Sequence, residues 1–188
     1  MALKSTIFKA SIAVADIDHG YYADHVLTLA RHPSENDERM MVRLAAFALH
    51  AHEIDTLCRG DATLAFGNGV STPDEPDLWL RDFTGATRVW IDVGQPDEAA
   101  LTKASRQAGD YAAVYAFHHA AEVWWRGIET KLTRLANLQV WRIPSADSQE
   151  LAQWAQRTMQ LQATVQEGAL LLGDAQGRHL HVEPLRLK

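Results

Sequence analysis

One stretch, residues 75–103 with the sequence EPDLWLRDFTGATRVWIDVGQPDEAALTK, constrains the fold of this chain most. Apolar and polar residues alternate over 77–82 and again over 87–94, and Gly85 lies in the short connection between them. This pattern predicts a hairpin of two strands. A helix is predicted to follow over residues 97–107, because an acidic first turn comes directly after a proline. The rest of the chain is expected to pack around this unit.

The flanking segments predict a mixed α/β or α+β fold in a single domain that spans residues 1–188. An N-terminal hairpin is expected over 3–14 and 21–31, where apolar residues recur at every second position. The other predicted elements, in chain order, are a helix from Ser34 to Leu57, a short strand over 62–66, a strand over 111–117, a helix from His118 to Ala136, a strand over 138–143, a helix from Ser145 to Arg157 and a β-meander over 159–187. One central sheet covered by helices is expected.

The amino-acid composition indicates which classes of protein are compatible with this chain. Of the 188 residues, 47% are hydrophobic and 22% are charged, as in an ordinary globular protein. A single cysteine, Cys58, excludes an intramolecular disulfide and fits a reducing compartment. The sequence has neither an apolar run of ~20 residues nor a continuous apolar N-terminal segment, so a cytoplasmic protein without a membrane partner is expected. The formal net charge of −6 argues against coating nucleic acid through bulk positive charge.

Two carboxylates carry the chemistry of the central stretch. Asp77 opens the first strand of the hairpin and Asp92 lies near the end of the second, so pairing of the strands brings them close. Two close carboxylates repel each other unless a cation lies between them. Mg²⁺ is held by one or two carboxylates together with water and phosphate oxygens, and it lowers the pKa of bound water. A purely structural alternative remains, in which Asp92 pairs with Arg88 or Lys103.

A third carboxylate is expected from the first long helix. At 100° per residue, Glu38 falls on the same side as Met41 and Val42, and a carboxylate on an apolar face is costly unless a cation or donors meet it. Glu38 therefore either joins the two strand acids or pairs with an arginine or a backbone group. Glu35 and Glu53 are alternative helix acids.

The element order αβββαβ, with Pro76–Asp77 and then an acid on the next strand, resembles the PD-(D/E)XK nuclease superfamily. That pattern has a lysine two residues after the second acid, whereas this chain has Gly94. Lys103, on the following helix, resembles the displaced lysine of some members. Glu38 resembles the helix acid that completes the metal site in many members.

Longer segments are similar to the YaeQ family of small bacterial proteins, namely LARHPSENDERMMVRL, EPDLW, WIDVGQPDE and TMQLQATVQEG. This resemblance spans nearly the whole chain and implies a compact restriction-endonuclease-like fold. It implies Mg²⁺ or Mn²⁺ held by Asp77, Asp92 and Glu38, with Lys103 positioning the attacking water. Gln95 is expected to line the site. The departure at Gly94 bears on turnover more than on metal binding.

Three functions are compatible with this pattern. The first is a metal-dependent nuclease acting on DNA or RNA, and the second is a binding or regulatory protein that kept the fold and lost turnover. The third is a protein-interaction module, and in each case a monomer is expected. A positive groove beside the carboxylates, with Arg81, Arg88 and Arg106 as candidates, would favour a nucleic-acid ligand. A uniformly acidic surface would favour the third.

Other motifs are predicted to be structural. His179 and His181 share a strand face, but zinc needs three or four ligands and the sequence shows no third. His118–His119 and Cys58 have no evident catalytic partner. The Trp124–Trp125 pair has the spacing of a buried helix stripe rather than of a base-stacking platform.

Overall fold

The computed structural model describes residues 5–68 and 74–188. Residues 3–4 of the predicted first strand and 69–73 of a predicted loop lie outside the described residues. The strands are β1 Thr6–Asp16, β2 Tyr21–Arg31, β3 Ala62–Phe66, β4 Leu78–Asp82, β5 Thr87–Val93, β6 Tyr111–Ala116, β7 Leu138–Arg142, β8 Thr158–Gln166, β9 Ala169–Asp174, β10 His179–Val182 and β11 Leu185–Arg186. The helices are α1 Asp37–His50, α2 Glu53–Thr56, α3 Glu98–Gln107, α4 Ala121–Leu132 and α5 Ser145–Ala152.

The described strands form two mixed sheets, which corrects the expectation of one central sheet. The first sheet has the order β10-β9-β8-β1-β2 and the second has the order β11-β7-β6-β5-β4-β3. The N-terminal hairpin and the C-terminal meander join in the first sheet, where β1 and β8 run parallel. Alternating apolar residues show which face of a strand is buried, but they do not specify its partner, so the sequence pattern left this pairing open.

The central hairpin forms as predicted in the second sheet. Strands β3, β4 and β5 pair antiparallel, with Leu78 opposite Ile91, and β5, β6 and β7 run parallel. Helix α3 connects β5 to β6, as the predicted strand–helix–strand order requires. Its N-cap is Asp97, whose carboxylate accepts a hydrogen bond from the Ala100 N–H at 2.8 Å.

Helix α1 is buried on every side from Met40 to His50. Its apolar residues share one cluster with side chains of β1 and β8 in the first sheet and of β4 and β5 in the second. A helix buried on all sides packs between layers rather than on a surface. The opposite face of the second sheet has a separate apolar cluster with α3 and α4. No helix in the described ranges is long and apolar enough to cross a membrane.

Three helices are shorter in the structure than the sequence predicted. Asn36, not Ser34, caps α1, because its side chain accepts from the Arg39 N–H at 2.9 Å. The helix stops at His50 and a separate turn of helix, α2, follows. Helix α4 starts after His118, whose positive φ of 74° is incompatible with a right-handed helix. Helix α5 ends at Ala152.

Gly67 gives a test of how tightly the start of β4 is held. Its N–H donates to the Asp77 carbonyl at 3.0 Å, and a Cβ there would lie 2.0 Å from the Pro76 carbonyl oxygen. Gly67→Ala should therefore lower the free energy of unfolding by about 1–3 kcal/mol, measured by urea denaturation. Gly127→Ala, inside α4 with open space around it, should instead raise it by about 0.5–1 kcal/mol. Equal effects at both positions would contradict this assignment.

Candidate functional site

Asp77 is the centre of a charged cluster between α1 and the second sheet. Its carboxylate is 5% exposed, and Nη2 of Arg39 donates to both of its oxygens at 2.8 Å. The Val93 N–H donates to the same carboxylate at 2.7 Å. Burial raises the pKa of Asp77, while the Arg39 and Arg43 guanidinium groups and this N–H oppose the rise. The predicted metal ligand is therefore already paired with an arginine.

Glu35 completes the cluster from the turn that precedes α1. Arg39 donates to Glu35 through Nη1 at 2.9 Å, and Arg43 donates to both Glu35 oxygens at 2.8 and 2.9 Å. Arg43 is fully buried, and its Nε lies 3.9 Å from Asp77. Burial of the Arg39 guanidinium favours its neutral form, but the charges of Asp77 and Glu35 outweigh this and raise the pKa of Arg39. Two carboxylates and two guanidinium groups thus neutralise one another in the interior.

Sequence reasoning missed both arginines of this cluster. The signal was present, because residues 35, 39 and 43 recur at intervals of four and so share one side of a helical path. That side is polar, and a polar side of a helix normally faces water. Here it faces Asp77.

Asp92 lies beside this cluster without a cation of its own. Its Oδ2 accepts from the Trp90 indole N–H at 3.0 Å. Both side chains are on the sheet face covered by α3 and α4, since Trp90 belongs to the apolar cluster on that side. Burial and the nearby charge of Asp77 raise the pKa of Asp92 from 3.8 to about 7. The structure thus places the two strand acids close to each other, but only Asp92 lacks a cationic partner among the described residues.

The structural alternative for Asp92, a pairing with Arg88 or Lys103, is not what the structure contains. Arg88 pairs with Asp110 through an Nε–Oδ2 contact of 2.6 Å. Lys103, on α3, forms an ion pair with the exposed Asp74. Each predicted basic partner is therefore committed to another acid.

Gly94 explains why no lysine stands two residues after Asp92. Its φ is +110°, a conformation that side-chain-bearing residues rarely adopt, although a Cβ there would meet nothing within 4 Å. Its N–H continues the sheet by donating to the Tyr115 carbonyl at 2.9 Å. The backbone, not a lack of space, is what disfavours a lysine at this position.

Glu38, the predicted helix acid, makes its contact with a different part of the fold from Asp77 and Asp92. Glu38 accepts a hydrogen bond from the Ser148 hydroxyl of α5 at 2.7 Å. Of the alternatives, Glu35 contacts the Asp77 cluster through the arginines, whereas Glu53 is buried beside His50, 2.9 Å from its Nδ1. Sequence spacing required a donor or a cation for Glu38, and the donor in the structure is a hydroxyl on another helix.

A cleft of about 1080 Å³ opens between α3 and α4, and its rim begins at Gln95, three residues after Asp92. Four cationic side chains and two acidic ones line it, namely Lys103, Arg106, Lys131, Arg134, Asp97 and Glu98. Glu98 lies 3.7 Å from Lys131 and 3.4 Å from Arg134. Trp124 also lines the cleft, where its indole N–H donates to the Pro96 carbonyl at 2.9 Å. Of the three predicted groove arginines, Arg106 lies in this cleft, while Arg81 stacks on Trp79.

The comparisons with known proteins fit this architecture. The model of the YaeQ protein family matches residues 1–183. The chain belongs to the YaeQ family. Two curated YaeQ proteins, both described as uncharacterized, are similar to it: the one from Salmonella typhi is 45% identical over 93% of this chain and 92% of its own length, and the one from Escherichia coli K12 is 42% identical over 93% and 91%.

Solved structures of the YaeQ family share the whole fold. The crystal structure of YaeQ from Xanthomonas axonopodis pv. citri aligns with a TM-score of 0.87 and 40% identity, covering 98% of both chains. The structure of YaeQ from Pseudomonas syringae aligns with a TM-score of 0.87 and 33% identity, covering 98% of this chain and 96% of its own. The two-sheet architecture is therefore that of the family.

The arrangement of Asp77, Asp92 and Glu38 does not fit a preassembled magnesium site. Both oxygens of Asp77 accept from Arg39, and Glu38 accepts from Ser148. Within the described ranges, this triad is not among the groups of three ligand atoms close enough together to share a metal ion. Within the described part of the chain, neither Asp92 nor Glu38 is paired with a cation. A divalent ion at Asp77 would have to displace the Arg39 guanidinium.

Removal of Arg39 tests the role of the cluster in stability. Arg39→Ala leaves the buried Asp77 carboxylate without its closest cation, so the free energy of unfolding should fall by about 3 kcal/mol in urea denaturation. The matched control is Arg126→Ala, whose side chain is 78% exposed and lies 4.0 Å from Glu122. That variant should change the same quantity by less than about 1 kcal/mol. A similar small loss for Arg39→Ala would show that Asp77 does not depend on it.

Asp92 should give stability a characteristic pH dependence. Because its pKa is raised in the folded state, the folded protein binds a proton that the unfolded chain releases between about pH 4 and pH 7. Its contribution to folding is therefore largest at the acidic end of this range and is lost as the pH rises. Asp92→Asn removes the effect, so the variant should gain roughly 2–4 kcal/mol relative to the wild type between pH 4 and pH 7.5.

The control for this measurement has the opposite sign. Backbone N–H groups of Gly168 and Glu167 lower the pKa of Asp18, so its stabilising contribution is lost as the pH falls. Asp18→Asn should therefore lose stability relative to the wild type only as the pH rises toward the ordinary carboxyl pKa of about 3.9, and should show a constant difference above it. Urea denaturation of both variants from about pH 3 to pH 7.5 measures these differences, and a flat difference for Asp92→Asn above pH 4 would refute the raised pKa.

Proposed function

We propose that this chain is a nucleic-acid-binding member of the YaeQ family, with a PD-(D/E)XK-type fold in which the motif carboxylate Asp77 has become structural. The ligand is expected to lie in the α3–α4 cleft and to be held through its phosphates. The observation that carries the proposal is the engagement of both Asp77 oxygens by Arg39. It gives a stable interior without metal, and the cationic side chains that line the neighbouring cleft are available to the ligand.

The charge of the cleft supports a phosphate-bearing ligand. The chain has a formal net charge of −6, but cationic residues outnumber acidic ones two to one along this cleft. Arginine and lysine side chains on the phosphate backbone supply most of the sequence-independent affinity for nucleic acid. Exposed ion pairs such as those of Glu98 contribute little to stability, so they exchange readily for phosphate.

The same charge distribution disfavours the pure protein-interaction function. That function was expected to accompany a uniformly acidic surface beside the carboxylates. Arg106 and Lys131 instead line the cleft whose rim follows Asp92. The choice between DNA and RNA does not follow from backbone contacts, because phosphates carry no sequence information.

Metal-dependent phosphodiester hydrolysis is the second candidate, and Asp92 favours it. A half-buried carboxylate whose pKa is raised by desolvation and by a neighbouring carboxylate is a group that a divalent cation would stabilise. The catalytic residues in this case are Asp77, Asp92, Glu38 and Lys103, with Mg²⁺ or Mn²⁺ as cofactor. It requires Arg39 to leave Asp77 and Lys103 to leave Asp74. The first candidate requires neither rearrangement.

Binding of short labelled single- and double-stranded DNA and RNA, followed by fluorescence anisotropy in EDTA, tests the proposal. Arg106→Glu should weaken binding of every sequence alike and reduce the slope of log K against log salt by about 1 or more. Arg126→Glu on α4 is the matched control, because it makes the same charge change outside the residues that line the cleft. It should leave the slope unchanged.

Two results would overturn the cleft as the binding surface. One is the absence of binding at low salt, and the other is an equal response to Arg106→Glu and Arg126→Glu. Repeating the assay with Mg²⁺ or Mn²⁺ and resolving the products on a gel tests the second candidate. Cleavage that disappears in Asp92→Asn would establish hydrolysis in place of binding alone.

A further inference from the structure

A second group of ligating side chains lies outside the Asp77 cluster. Asp16 ends β1, His19 follows in the β1–β2 turn, and His52 stands in the break between α1 and α2. One ligand atom from each of the three lies within 4.8 Å of the others. The imidazole rings of His19 and His52 stack with centroids 3.6 Å apart and planes 2° from parallel.

The hydrogen bonds of this group connect its ligand atoms and leave Nε2 of His52 without a partner among the described residues. Nδ1 of His19 lies 3.0 Å from each oxygen of Asp16, and Nδ1 of His52 lies 3.2 Å from the Thr56 hydroxyl. An ion that replaces the proton between His19 Nδ1 and Asp16 can take both atoms as ligands, because adjacent ligands in a tetrahedral zinc site are about 3.3 Å apart. Asp16 is fully buried while His19 is 42% exposed, so the group is anchored from within and reachable from solvent.

The adjoining pocket supplies an independent observation. His19 and His52 line a cavity of about 390 Å³ together with Glu53 and Trp141. Glu53 is 4% exposed, and its Oε2 has no hydrogen-bond partner among the described residues. The Trp141 indole N–H is likewise buried and unpartnered. Unsatisfied buried polar atoms are costly, so both atoms would be stabilised by a water or a ligand group that reached them from the cavity.

Three other polar residues of the lining, His50, Tyr111 and Tyr115, are held in place by hydrogen bonds. Nε2 of His50 lies 2.8 Å from the Tyr115 hydroxyl, and Nδ1 of His50 lies 3.0 Å from the Tyr111 hydroxyl. Burial and the nearby charge of Glu53 raise the pKa of Tyr115, so its hydroxyl stays protonated at neutral pH. These contacts fix the wall of the cavity behind the exposed His19 and the half-buried His52.

We propose that Asp16, His19 and His52 bind a divalent transition metal of the zinc class, with its remaining coordination position facing this cavity. Two imidazoles and one carboxylate are a ligand set that zinc uses when it leaves a position open for water or substrate. Imidazole selects zinc, copper, nickel or iron over magnesium and calcium, so this site differs in metal preference from the carboxylate motif at Asp77. Binding turns the two rings out of their stack, so that their nitrogens converge at about 2.0 Å from the ion.

The residues of this site were not found from the sequence because they are far apart in it. His19 and His52 share no short motif, and they meet only because the β1–β2 turn lies against the start of α2. The His179–His181 pair, which does have a motif-like spacing, forms no such group of three among the described residues. It therefore provides a control with the same number of imidazoles.

The proposal is tested by isothermal titration calorimetry, with Zn²⁺ titrated into the EDTA-dialysed chain without a polyhistidine tag. One ion should bind per chain, and Co²⁺ should give the visible absorption of a four-coordinate site. His19→Ala/His52→Ala should weaken binding by more than about a hundredfold, since removal of supporting residues alone costs 10- to 100-fold. His179→Ala/His181→Ala should bind as the wild type does.

Two results would overturn the proposal. One is the lack of saturable one-to-one binding in the wild type, and the other is binding that survives in His19→Ala/His52→Ala or disappears in the control. If the double variant does not give a cooperative thermal melt without metal, the exposed His19→Ala alone replaces it, with the same required loss. Metal binding here does not depend on the α3–α4 cleft, so Arg106→Glu should leave it unchanged.

Discussion

The pairing of Arg39 with Asp77 holds helix α1 against the second sheet. Arg39 lies in the first turn of α1, directly before its fully buried part, and Asp77 directly precedes β4. Isolated, either charge would be very costly in the interior, and together with Glu35 and Arg43 they neutralise each other. The hydrogen bond from the Val93 N–H ties the same carboxylate to the end of β5. One side chain thus fixes the helix, the hairpin and the register of its two strands.

The Arg39–Asp77 pairing also limits the chemistry that the predicted motif residues Asp77 and Asp92 can perform. Asp77 is paired with Arg39, whereas Asp92 has no cationic partner among the described residues, and its partial burial beside the Asp77 charge raises its pKa. The basic residues expected to help it lie elsewhere, in ion pairs with Asp74 and Asp110. A site assembled from the same residue types as a nuclease motif can therefore have a stable resting arrangement without a metal ion.

The sequence predicted the local structure well and the long-range arrangement less well. Strands β4 and β5 and the helix after them follow from alternation, a glycine turn and an N-cap, all of which are local. The spacing of Arg39 and Arg43 puts them on one side of α1, but helical periodicity gives the direction of a side chain and not what lies opposite it. Glu38 shows the same limit, since its partner Ser148 belongs to a helix far along the chain. The two sheets and the grouping of Asp16 with His52 needed the three-dimensional structure for the same reason.

The parallel pairing of β1 with β8 has a consequence for the order of folding. Strand β1 lies between β2 and β8 in its sheet, so its second edge stays open until a strand near the other end of the chain is available. During synthesis the N-terminal hairpin would emerge with its apolar face and one edge unprotected, a state that invites association between chains. Contacts of such long sequence separation slow folding in general. The first sheet can therefore be completed only after its C-terminal strands β8, β9 and β10 have been synthesised.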